Sequence, residues 1–71
     1  MPSETILLRT LGARIRAMRK ERGFSQERLA ELSRIHENHV RRIEAGTANP
    51  SYVVLHRIAR ALKVALPELV A

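Results

Sequence analysis

Apolar side chains recur at helical spacing along the whole chain. Leu8, Leu11, Ile15 and Met18 stand three or four positions apart, with Arg14, Arg16, Lys20 and Glu21 between them, and so predict a first helix. Ser3 suits its N-cap and Gly23 its C-terminal stop, although the pattern alone also allows a start near Thr10. Ser25 caps a second helix, with Gln26 and Glu27 in its first turn and Leu29, Ala30 and Leu32 pointing inward. A third helix runs from about Glu37 to Ala45, ended by Gly46, with Val40 and Ile43 on the core side and Ile35 before them. Pro50 lacks an amide donor and biases Asn49 away from helical angles, so Thr47 to Pro50 is a loop. Ser51 then caps a fourth helix whose inward stripe is Leu55, Ile58, Ala59 and Leu62. Val64 closes the connection. A last short helix starts around Leu66 or Pro67 and carries Leu69 and Val70. Five helices are expected, with no strand signal, internal repeat or low-complexity segment.

Seventy-one residues leave room for one domain, taken as 1–71, with a small core that buries only about 60% of the unfolded chain's surface. Thirteen Lys and Arg against seven Asp and Glu give a net charge of +6 and a pI near 11.4, which suits a polyanionic partner. Nearly all these cations are Arg, which forks onto phosphates and guanine edges where Lys acts as a point charge. Cysteine is absent, which removes disulfides and thiolate chemistry and permits a reducing compartment. Met1-Pro2-Ser3-Glu4 lacks a basic signal-peptide start, and no apolar run approaches the roughly 18 residues that span a membrane. The expectation is a soluble, cytoplasmic protein with no membrane partner.

The outward side of the third helix carries the most specific chemistry. Glu37, Asn38, Arg41 and Arg42 follow i, i+1, i+4, i+5 spacing and form one stripe of side chains able to bond base edges or phosphates. On its own, such a stripe is more often simply a solvated face. Three segments add context: Ser25-Gln26-Glu27-Arg28-Leu29-Ala30, Val40-Arg41-Arg42-Ile43-Glu44-Ala45-Gly46 and Asn49-Pro50-Ser51. They read as two short helices joined by a tight turn and followed by a loop, the arrangement that places one helix in the DNA major groove. From about Leu11 to Leu69 the chain resembles the helix-turn-helix domain of the phage repressor and Cro-like family, also called the Xre family.

The resemblance implies an all-α, five-helix, lambda-repressor-like bundle with the helix-turn-helix at helices two and three. It also implies roles. Glu37, Asn38 and Arg42 match base-reading positions, with Arg41 and His39 nearby on phosphates, and Gln26 matches a position that touches backbone and sometimes a base. Ser25, Thr47 and Asn49 are candidate phosphate donors, with ordinary turn chemistry the competing role for the last two. Arg19 and Glu44 occupy positions where the family pairs an arginine of helix one with a glutamate near the end of helix three. Two positions depart from the family. Arg34 stands where a left-handed glycine is usual, at a cost on the order of 1 kcal/mol, and His36 stands where Ser or Thr usually caps the reading helix.

Other chemistries find little support. His36-Glu37-Asn38-His39 lacks the i, i+4 histidines of a zinc protease because position 40 is Val, and no third metal ligand is evident. There is no Gly-rich phosphate loop and no nucleophile beside a base, so neither a cofactor nor catalysis is expected. One Phe and one Tyr supply little for stacking on single strands. The expected function is sequence-specific regulation of transcription on double-stranded DNA, most simply repression at an inverted-repeat operator. A homodimer is expected from the apolar residues Ile6, Leu7, Leu66, Leu69 and Val70, which exceed what one small core covers. The alternative is an antitoxin that binds a toxin protein and regulates its own promoter.

Overall fold

Each serine expected to start a helix does so in the computed structural model, which describes residues 3–70; Met1, Pro2 and Ala71 of the expected domain lie outside the described residues. The elements are α1 (Glu4–Glu21), α2 (Gln26–Ser33), α3 (Glu37–Ala45), α4 (Tyr52–Leu62) and α5 (Leu66–Val70), and no strand occurs among the described residues. Ser3, Ser25 and Ser51 accept hydrogen bonds through Oγ from the amides of Ile6, Arg28 and Val54, at 3.2, 2.9 and 3.1 Å. These side chains satisfy amides that a helix start leaves without partners. Helix α1 therefore begins at its early cap and not near Thr10.

Four helices end in the same way. The amides of Phe24, Ile35, Thr47 and Val64 bond back to the carbonyls of Arg19, Ala30, Arg42 and Ala59 at 3.0 to 3.1 Å. Each turn passes through a left-handed residue: Gly23, Arg34, Gly46 and Lys63, with φ of 69°, 59°, 78° and 58°. Arg34 thus takes the conformation expected of it. Lys63 takes the same one without having been expected to.

Ile15, Leu29, Val40, Ile43, Ile58, Leu62 and Leu69 form the centre of the core, none more than 1% exposed. Helix α1 packs on α3, α2 lies between α3 and α4, and α5 folds back against α1 and α4. The closest approach is at Gly12, where a Cβ would stand 2.3 Å from the carbonyl oxygen of Ile43 and 2.7 Å from that of Glu44. Only a residue without a side chain lets the end of α3 rest on α1 here.

Two burial assignments are corrected, the inward Leu32 and the interface residue Leu69. Leu32 is exposed, because the buried face of α2 is Leu29, Ala30 and Ser33; the Ser33 Oγ satisfies itself by donating to the Leu29 carbonyl. Leu69 is fully buried and is not surplus apolar surface. Arg14 Nη1 donates to the Leu69 carbonyl at 3.2 Å and fastens α5 to α1. Leu66 is half-buried against the same core, which leaves Val70 as the exposed apolar residue of α5.

Candidate nucleic-acid interface

Helix α3 buries Val40 and Ile43 and turns Asn38, Arg41 and Arg42 to solvent, with Glu37 and His39 half-buried beside them. His36 precedes it with extended angles but gives no side-chain cap. Acidic Glu37 in the first turn complements the positive helix end that this weak cap leaves. Glu37 also pairs with Arg41 one turn on, so a base-reading candidate and a phosphate candidate hold each other on one stripe.

Behind the stripe, three side chains tie the scaffold to α3. Arg19 forks onto Glu44, Nε to Oε2 at 2.7 Å and Nη2 to Oε1 at 3.0 Å, while Nη1 donates to the Phe24 carbonyl at 2.8 Å. The Glu44 side chain is 3% exposed and that of Arg19 9%. Hydrogen bonding to the Glu44 carboxylate holds the Arg19 guanidinium above its ordinary range; burial opposes this and the attraction of the same carboxylate reinforces it. The expected Arg19–Glu44 pair is therefore present, and it joins α1, the α1–α2 turn and α3.

Gln26 completes the network by donating from Nε2 to Glu44 Oε1 at 3.0 Å. The carboxylate fixes the amide's direction, since the opposite orientation would set two oxygens against each other. A carbonyl oxygen and a second amide proton remain for a ligand. Ser25, Gln26, Arg41 and Arg16 line a cleft of about 480 Å³ with the Arg19–Glu44 pair at its base. Arg16 was not singled out from the sequence, although its place one turn before Arg19 on α1 is the signal that finds it.

The phosphate-donor candidates separate. Ser25 Oγ accepts from the Arg28 amide and keeps its proton for donation. Thr47 does not: its hydroxyl donates to the Arg42 carbonyl at 3.2 Å, and its amide bonds the same oxygen at 3.0 Å. In this structure the Thr47 hydroxyl closes α3, the turn role that competes with phosphate donation. Asn49 lies away from the cleft, in a groove between α1 and α5 lined also by Ile6, Leu7 and Val70. Those three apolar side chains are 52 to 56% exposed, and Tyr52 and Val53 at the start of α4 add further exposed apolar surface that the sequence did not flag.

Residues 10–71 match the family model described as a helix-turn-helix domain. The chain belongs to that family. This helix-turn-helix domain is 46% identical over 55 residues to an HTH-type transcriptional regulator of Methanothermobacter thermautotrophicus, covering 78% of the chain and 75% of the relative. It is 38% identical over 61 residues to the immunity repressor protein of Bacillus phage phi105, covering 86% of the chain and 42% of that longer protein. Among solved structures it is similar to the restriction-modification controller protein C.AhdI from Aeromonas hydrophila, at 39% identity and a TM-score of 0.86, over 87% of this chain and 94% of that one. The family is one of regulators and not of enzymes. No helix among the described residues is long and apolar enough to cross a membrane.

Proposed function

We propose that this helix-turn-helix domain is a sequence-specific regulator of transcription, a repressor that occupies double-stranded DNA with α3 in the major groove. The observation that carries this is the tie of Arg19 and Gln26 to Glu44 behind the stripe of Asn38, Arg41 and Arg42: buried charge is arranged to hold a polar, exposed helix in place. Asn38 and Arg42 carry the groups that recognise adenine and guanine edges, and Glu37 accepts from cytosine when Arg41 leaves it for a phosphate. Ser25, Gln26 and Arg16 grip the backbone beside the groove. A relative named an immunity repressor and a neighbour named a controller protein support the reading.

The domain acts as a symmetric homodimer on an inverted repeat. Ile6, Leu7 and Val70 form the exposed apolar surface that a two-fold contact covers, with Leu66 behind it and Leu69 within the monomer core. A two-fold dimer spaces its reading helices about 34 Å apart, one turn of duplex. Selection of bound sites from random duplexes, followed by footprinting, tests both claims: two inverted half-sites one turn apart are expected. A single unrepeated site, or no enriched sequence, overturns the dimer or the specificity respectively. Leu7→Asp changes a side chain already 56% exposed and should leave the monomer folded while removing the dimer in sedimentation.

A further inference from the structure

A second groove, of about 680 Å³, runs between α2 and α4 and shares no residue with the Ser25–Gln26 cleft or with α3. Five cations rim it: Arg28, Arg34, Arg57, Arg60 and Lys63. Phe24, Leu32 and Ala61 form an apolar floor, and no carboxylate of the described residues lines it. Arg28 reaches Glu31 at 3.7 Å in an exposed pair worth little, and no ion pair involves the other four cations among the described residues. Among the described residues, no carboxylate thus offsets the charge of those four.

Helix-end electrostatics explain only part of this. Arg34, Arg60 and Lys63 sit near the negative C-terminal ends of α2 and α4, where cations are favoured. Arg28 and Arg57 do not. Arg34 and Lys63 also hold left-handed angles that glycine adopts without strain, so both positions carry a charge where backbone geometry favours its absence. Duplex DNA is a poor occupant. Arg28 stands two residues after Gln26, about 200° round the helix from the side that joins α3. A phosphate backbone also gains nothing from an exposed Leu32 on an apolar floor.

We propose that the α2–α4 groove docks an acidic segment of a partner protein, with Asp or Glu on the cationic rim and one apolar anchor, Leu or Phe, against Phe24, Leu32 and Ala61. An acceptor-only polyphosphate has no apolar group to set against that floor. This surface is separate from the DNA reading, and the two can fail independently.

The test is a titration of the isotope-labelled domain, followed by amide NMR, with a capped peptide of Glu and Asp around one central Leu. Saturable shifts are expected at Leu32, Ser33, Ala61 and Lys63, with Asn38, Arg41 and Arg42 unmoved. Replacing the peptide's Leu by Ser should weaken binding by about tenfold. Arg57→Glu with Arg60→Glu, both exposed positions, should abolish the shifts while the domain stays folded, at the cost of a slightly lower melt from the anion at the end of α4, and Arg57→Gln with Arg60→Gln serves if that variant unfolds. The peptide should bind equally to the domain already on its duplex. Absence of shifts, equal binding by the Ser peptide, equal binding by tripolyphosphate at the same amides, or displacement of the peptide by duplex each overturns the proposal.

Discussion

Removing the Glu44 carboxylate is the sharpest perturbation of the tie behind α3. In Glu44→Ala the Arg19 guanidinium, in a residue 8% exposed, keeps only the Phe24 carbonyl of the acceptors described above. Stranding one partner of a buried ion pair costs about 3 to 5 kcal/mol. A 71-residue domain has about 4 to 11 kcal/mol in all, so the variant should lose about a quarter or more of its stability. The companion variant Arg19→Met with Glu44→Leu replaces the pair by apolar side chains and should be neutral to more stable by up to about 4 kcal/mol. Chemical denaturation followed by circular dichroism reads both, and anisotropy on a labelled selected duplex reads binding. The double variant folds but leaves Gln26 without its anchor, so its affinity should fall by about tenfold. A loss below about 1 kcal/mol for Glu44→Ala would show the pair to be solvated, and full DNA affinity in the double variant would refute its positioning role.

Gly12→Ala should destabilise by about 1 to 3 kcal/mol in the same denaturation assay, because its Cβ meets the Ile43 and Glu44 carbonyls and no flexible side chain can yield. Arg34→Gly and Lys63→Gly each relieve a left-handed angle of about 1 to 2 kcal/mol but lose part of that to unfolded-chain entropy; net gains of up to about 1 kcal/mol, and a melting point a few degrees higher, are expected from calorimetry. Arg42→Ala should cost about 1 to 3 kcal/mol on the selected site and less on random duplex, whereas Arg41→Ala should weaken both alike, in parallel titrations. The folded Arg19 ionises above its ordinary range, so its contribution is fully present below the unfolded value and is lost only as pH rises through the folded one; melts across neutral pH should show no step from it.

Much of the fold is legible in the sequence because its signals are local. Ser3, Ser25 and Ser51 act through amides three residues on, and Gly46 ends α3 by its own conformation. What is not legible depends on packing between distant segments. Leu69 is a core residue only because α5 returns to α1, and Leu32 loses its inward place to Ser33, whose hydroxyl bonds within its own helix. Gly12 has no pattern of its own until α3 crosses it. The Arg19–Glu44 pair is visible by resemblance, and Arg16 by its place one turn before Arg19, but the Gln26 bond to Glu44 requires distant segments to meet. Lys63 is left-handed where nothing in its sequence favours that angle; the bond from Val64 to Ala59 that closes α4 imposes it.

The central claim is that the exposed stripe of α3 reads base edges in the major groove. Methylation interference on the selected site tests it directly, since a methyl group on guanine N7 occupies the atom that an arginine fork would contact. Methylation of one guanine in each half-site should block binding by the wild-type domain, and Arg42→Ala should become indifferent to that same guanine while remaining sensitive elsewhere. Binding unaffected by N7 methylation, or equally sensitive in Arg42→Ala, would contradict the account.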